Sequence, residues 1–284
     1  MSQRPPVAVI GMHRSGTSLV TASLERLGLF AGRTKDRNDE AVFFRRLNDW
    51  LLRQSGAAWD QPSPVRLLVE RAEVRSLAAG YLAHVVRSVR TVGYLGWASY
   101  LRHRGLTSLP FAWGWKDPRT TFTLPVWTDV FPEARVIHVL RHGVDVAASL
   151  RARHRRALAR RAEAFRRRKP IYSVWVKRTG FTDSLRCATL EGGFSLWEEY
   201  VDQGRALVQD LGSRAVELRY EDLLADPVGR LRDLAVFCGL APTHLRLSEA
   251  AGAVDARRSL AFRGDPELEV FSEAAADRLR GRGY

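Results

Sequence analysis

The stretch Val7-Ala8-Val9-Ile10-Gly11-Met12-His13-Arg14-Ser15-Gly16-Thr17-Ser18-Leu19-Val20 decides the fold. An apolar, β-branched run ends at Gly11, and from Thr17 to Leu29 apolar residues recur at helical spacing through Leu19, Val20, Leu24 and Leu27. The pattern reads as strand, loop, helix. Working outward, Phe111–Trp115, Val136–Leu140 (apolar except for His138) and Ala215–Tyr220 are further strand candidates. Asp39–Gln54, Val65–Arg104 and Phe194–Leu211 carry amphipathic helical patterns. Strands that are apolar throughout and alternate with helices predict a parallel sheet covered on both faces, an α/β three-layer fold. The expected organisation is one domain over residues 1–284, with helical insertions at 55–110 and 154–190.

Gly11 and Gly16 bracket the first loop, which lets successive backbone N–H groups converge on an anion at a positive helix N-terminus. The loop is P-loop-like, close to the Walker A pattern G-x-x-x-x-G-K-[ST], but Thr17 stands where the phosphate-binding Lys belongs. That departure argues against a Mg-dependent nucleotide kinase or NTPase. Arg14 and the hydroxyls of Ser15, Thr17 and Ser18 still suit a tetrahedral anion. A second anion site is expected where the third strand delivers Arg141 at its carboxyl end, with Ser149 and Arg153 one turn apart on the next helix.

Composition narrows the class. The 284 residues hold 45 Lys+Arg against 31 Asp+Glu, a net charge of +14, and 45% apolar content beside 27% charged excludes disordered and fibrous chains. Only Lys35, Lys116, Lys169 and Lys177 are lysines, so arginine supplies 41 of the cations. No apolar run nears the roughly 18 residues that span a bilayer, and Val7–Ile10 is too short for a signal-peptide core, so a cytoplasmic protein without a membrane span is expected. Cys187 and Cys238 have neither C-x-x-C partners nor metal-spaced histidines, which predicts buried thiols and no metal site. Ten cations and one acid lie within residues 151–169, on a helix continuing from Arg141. Such a run is a solvated face, the lining of a channel for an anionic acceptor, or a nucleic-acid contact. The next segment, Ile171–Phe181, carries Tyr172, Trp175 and Phe181 and suits packing over an acceptor.

With these residues in place, the chain resembles sulfotransferases that use 3′-phosphoadenosine 5′-phosphosulfate (PAPS). The first loop G-M-H-R-S-G-T-S and the later V-I-H-V-L-R-H-G-V-D-V-A-A-S-L are similar to that family's two cofactor signatures. Gly114-Trp115-Lys116-Asp117-Pro118-Arg119 and Leu218-Arg219-Tyr220-Glu221-Asp222-Leu223-Leu224-Ala225-Asp226-Pro227 resemble segments of the bacterial and protein-tyrosine branches. The resemblance spans residues 7–52, 111–153 and 195–242. It implies that His13, Arg14, Ser15, Gly16, Thr17 and Ser18 hold the 5′-phosphosulfate and that Arg141 and Ser149 hold the 3′-phosphate. Arg153 and Tyr220 match further cofactor contacts, and Arg257-Arg258 to Asp265 would close over the nucleotide. No metal is implied, and the partner is a small-molecule or glycan hydroxyl acceptor, with nucleic acid not expected.

Sulfuryl transfer needs a base for the acceptor hydroxyl and a cation for the leaving phosphate. Lys116 is the expected cation, because a compact ammonium at a strand end stands out in a chain that otherwise uses arginine. For the base, the resemblance points to an acid shortly after the first helix. Glu40 is the reading preferred here; Asp39 and His13 stay open. The competing classes are a P-loop nucleotide kinase and an Arg-rich nucleic-acid binder.

Overall fold

Four short strands carry the architecture. The computed structural model describes residues 4–177, 179–255 and 259–284. Among the described residues the strands are β1 (Val7–Ile10), β2 (Gly114–Lys116), β3 (Arg135–Leu140) and β4 (Ala215–Arg219). They form one parallel sheet in the order β2-β1-β3-β4. β1 is an inner strand, its Val9 paired with Lys116 on one side and with Ile137 on the other. The carboxyl ends of β1, β2 and β3 therefore meet at one edge, where open parallel sheets place ligands.

The side chains of β1 alternate between two cores. Ala8 and Ile10 join Val136 against Phe44, Trp115 and Trp127, whereas Val7 and Val9 join Ile137 and Val139 against Val20, Leu24 and Leu231. Phe44 stacks on Trp115 with ring centroids 4.2 Å apart and planes 4° from parallel. Full burial of a side chain such as Phe44 contributes about 2–3 kcal/mol. The residues from 55 to 110 belong to the first of these cores, supplying Leu68, Leu82, Val85 and Tyr94.

The element edges differ from the sequence expectation for identifiable reasons. β2 starts at Gly114 because Trp113 pairs instead with Phe30. The helix expected from Asp39 is Val42–Gln54, because the Asp36 carboxylate accepts the N–H groups of Asn38 (2.8 Å) and Glu40 (3.1 Å). That local turn puts Asp39 at φ 60, a left-handed conformation no helix continues through. The Val65–Arg104 pattern divides into Val65–Glu70, Ala72–Val85, Val92–Leu95 and Trp97–His103. Arg71 is extended between the first two, and Gly96 has φ 78 before the last.

The chain groups into two compact units. The first, Met1–Arg141 with Tyr200–Ser259, contains the sheet. The second, His142–Glu199 with Leu260–Tyr284, is built on the helix Gly143–Arg168. In this second unit a Cβ on Gly143 would lie 2.7 Å from both Phe194 and Trp197, so glycine permits the close crossing. Asp145 accepts the N–H groups of Ala261 (3.2 Å) and Phe262 (2.8 Å), and His142 stacks on the Phe262 ring. Arg257 and Arg258, expected to close over a nucleotide, lie outside the described residues. Cys187 and Cys238 are buried, and burial pushes the Cys238 thiol up to about 12. Among the described residues no helix is long and apolar enough to cross a membrane.

Candidate functional site

The first loop turns at two glycines that no other residue replaces. Gly11 has φ 130, and a Cβ there would sit 2.3 Å from the Val139 carbonyl oxygen of β3. Gly16 has φ 97 and lies flat against the Tyr220 ring, where a Cβ would sit 2.3 Å from a ring carbon. Gly16 also caps the helix Thr17–Arg26, and neither a side-chain cap nor an acid occupies that helix start. Its first N–H groups are therefore available to an anion.

Ser15 supports the same use. Its Oγ is buried at the centre of the loop and has no hydrogen-bond partner among the described residues. An orphaned hydroxyl beside an uncapped helix N-terminus is costly unless a ligand satisfies it, and a phosphate or sulfate oxygen does so. Arg14, left-handed at φ 74, is exposed, and its carbonyl faces the Arg141 guanidinium at 3.4 Å. Arg141 lies over the Tyr220 ring, 4.8 Å from its centroid. The loop, Arg141 and Tyr220 thus form one cationic, aromatic-backed surface.

A buried charge cluster adjoins the loop. Lys116 ends β2 and donates to the Asn38 carbonyl, which also accepts from Ser18 Oγ at 3.0 Å. Glu40 is 1% exposed. Its Oε2 accepts from Arg119 at 2.9 Å. Its Oε1 accepts no hydrogen bond among the described residues and faces Lys116 Nζ at 3.7 Å and His13 Nδ1 at 3.8 Å. Burial, with the negative charge of Asp117, raises the Glu40 carboxyl to about 7 against the pull of Arg119 and Lys116. Burial lowers Lys116 below its ordinary value of 10.5, with Glu40 and Asp117 opposing. Burial acts against Arg119 too, but Asp117, Glu40 and Asp49 outweigh it and keep the guanidinium charged. The arrangement is one carboxyl poised to exchange a proton near neutral pH, locked by an arginine on one oxygen and open on the other.

Asn48 braces this cluster from the helix Val42–Gln54. Its Nδ2 donates to Asp117 (2.8 Å) and Thr120 Oγ1 (2.9 Å), while its Oδ1 accepts from Thr123 Oγ1 and Trp127 Nε1, both at 2.7 Å. Asn48→Ala is expected to lose about 3 kcal/mol of unfolding free energy in urea titration, because it strands buried donors on Thr123 and Trp127. A loss below about 1 kcal/mol would show that water replaces the amide.

The sequence-predicted residues are shared between the two units. His13, Arg14, Ser15, Gly16, Thr17, Ser18, Glu40, Lys116, Arg141 and Tyr220 all belong to the first unit. Asp39, the alternative base, is exposed and held away by its left-handed backbone. Ser149 and Arg153 belong to the second unit, where Arg153 pairs with Asp183 at 3.4 Å. Asn48, Asp117 and Arg119 were not singled out as site residues from the sequence. The run Trp115-Lys116-Asp117-Pro118-Arg119 was the available signal for two of them. An aromatic wall was also missed. Trp59 meets His13 edge-on at 4.8 Å, and Tyr200 donates to the Trp59 carbonyl at 2.8 Å and packs on Phe122 at 4.7 Å.

Comparison with known proteins gives the following. The model of the sulfotransferase family matches residues 5–244. The omega-hydroxy-beta-dihydromenaquinone-9 sulfotransferases Stf3 of Mycobacterium bovis and Mycobacterium tuberculosis are each 32% identical over 125 residues. That stretch is 44% of this chain and 28% of each relative, so under a third of their length is matched. Among solved structures, sulfotransferase STF9 from Mycobacterium avium matches with a TM-score of 0.50 at 14% identity, over 99% of this chain and 77% of that one, a likeness of fold.

Proposed function

The chain belongs to the sulfotransferase family, and from that membership we propose that it moves the sulfuryl group of PAPS to the hydroxyl of a small-molecule acceptor. Neither a nucleotide kinase nor an Arg-rich nucleic-acid binder is favoured by the family match, and Thr17 in place of the Walker lysine agrees. The observation that carries the reading is Glu40. Its buried carboxyl is fixed by Arg119 through Oε2 and presents an open Oε1 beside Lys116 and the anion-binding loop.

In this reading the residues divide the work. Ser15, the amides after Gly16 and the hydroxyl of Thr17 hold the phosphosulfate at the helix N-terminus, and Ser18 joins them once its hydroxyl turns from the Asn38 carbonyl. Arg141 recognises the nucleotide's 3′-phosphate, a role the resemblance gives to Ser149 as well, and it implies Arg153 and Tyr220 as further cofactor contacts. Ionised Glu40 takes the proton from the acceptor hydroxyl as its oxygen bonds to sulfur. The bond from sulfur to the bridging phosphate oxygen breaks, and Lys116 stabilises the charge on that oxygen. The aromatic wall of His13, Trp59, Tyr200 and Phe122 favours an apolar hydroxylated acceptor, in keeping with the menaquinone-derived hydroxyl in the relatives' names.

Thermal shift tests the donor assignment: adenosine 3′,5′-bisphosphate should raise Tm, and ATP with Mg²⁺ should not. The reverse pattern refutes the reading. Gly16→Ala should abolish the bisphosphate shift, because the added methyl meets the Tyr220 ring and the backbone at φ 97 is strained for alanine. The steady-state rate should follow a bell, rising through pH about 7 as Glu40 ionises and falling below the ordinary lysine value of 10.5 as Lys116 loses its proton. A rate independent of pH between about 6 and 8 contradicts the assignment of Glu40 as base.

A further inference from the structure

The helix Gly143–Arg168 of the second unit leads into a surface to which the proposed division of catalytic work assigns no role. Beyond it Ile171, Val174, Trp175 and Val176 are 53%, 80%, 68% and 88% exposed. Four large apolar side chains clustered within six residues and left in water are unusual for a surface with no partner. The charge next to them is equally one-sided. Arg153 and Arg161 are tied to Asp183, and Glu163 engages Arg166 and Arg167. Arg156, Arg160, Arg168 and Lys169 are exposed and have no such acid partner among the described residues.

An apolar tip carrying tryptophan, flanked by several unneutralised cations, is complementary to an anionic bilayer. The cations meet lipid phosphates, and the apolar side chains enter the boundary between headgroups and acyl chains. The tryptophan is decisive between polyanions. Trp175 suits the interfacial zone, with an apolar ring and one N–H donor, whereas Val174 and Val176 gain nothing against a phosphate backbone. We propose that the segment from Arg156 to Val176 docks this protein peripherally on anionic lipid surfaces, without spanning them. The docking requires both features together. Lipid acidity supplies attraction at a distance, and insertion of Trp175 and its neighbours supplies retention once salt screens the charges.

Co-sedimentation of the full chain with vesicles tests this. Vesicles of phosphatidylcholine with about one-third phosphatidylglycerol should bind the protein, and pure phosphatidylcholine vesicles should bind it at least about tenfold less. The triple variant Val174→Ser, Trp175→Ser, Val176→Ser should lose about tenfold in partition to the acidic vesicles. The charge variant Arg156→Glu, Arg160→Glu should lose as much. Both variants should keep the wild-type Tm, because all five positions are exposed. No binding to acidic vesicles overturns the proposal. So does undiminished binding by the serine variant, or a single-stranded RNA that competes fully and binds both variants like the wild type. Those outcomes would mark a general polyanion surface or none.

Discussion

Glu40→Gln is expected to lower kcat by about 10³-fold, within the range that a positioned base contributes, while bisphosphate binding stays close to wild type. Glutamine keeps the shape and an oxygen for Arg119 but accepts no proton. The carboxyl's folded-state value of about 7, against an ordinary 4.5, makes the sign of the stability effect definite. The folded protein holds the proton more tightly than the unfolded chain. This group's stabilisation is therefore present in full below about 4.5 and is lost as pH rises through about 7. Glutamine escapes that loss, so the variant's Tm at pH 8 should equal or exceed that of the wild type. Loss of activity without loss of Tm, and without the rise through pH 7, would mark proton transfer rather than packing. Full activity in Glu40→Gln would move the base to His13, whose Nδ1 lies 3.8 Å from Glu40.

Lys116→Ala is the second large effect. It should cost about 10²–10³ in kcat, the usual consequence of removing one group aimed at developing charge, with a smaller change in KM. The ammonium is 2% exposed and confined between the Asn38 carbonyl and Glu40. Lys116→Arg should not rescue, because a planar fork does not fit a space shaped around a single nitrogen. Removing the cation also removes one of the two charges that hold Glu40 down, so the ascending limb of the residual rate should move to higher pH. Wild-type kcat in Lys116→Ala would show that the leaving phosphate is neutralised elsewhere.

The strands and their order of appearance were legible because a parallel sheet buried on both faces demands continuous apolar runs, and β1 and β3 supply them. The strand–loop–helix turn was legible because Gly11 and Gly16 bracket it, and both adopt the positive φ that glycine tolerates. The choice between Asp39 and Glu40 was not. Two adjacent acids before a helix look alike in a sequence, and what separates them is the Asp36 turn, which rotates one outward and the other into the cluster. Asn48 was hidden for a related reason: an asparagine inside an amphipathic helix reads as a surface residue. Here it is fully buried because donors and acceptors from the helix Thr120–Val130 and from Asp117 saturate all its hydrogen-bonding capacity. The aromatic wall unites Trp59, Phe122 and Tyr200 from distant parts of the chain, a proximity created only by folding.

If the proposed donor settles on the loop beside Glu40, the buried acid makes its capture a proton-coupled event. Near neutral pH Glu40 is divided between its two protonation states, and any polyanion settling on the adjoining loop raises its affinity for the proton further. Adenosine 3′,5′-bisphosphate should therefore be taken up together with a fraction of a hydrogen ion drawn from the medium. The heat of association at pH 7 should then scale with the ionisation enthalpy of the buffer, and Glu40→Gln should change that slope by the share of Glu40, leaving the share of the ligand's own phosphates. The resting protein would use the arrival of its donor to set how much of the base must still be discharged before an acceptor can react.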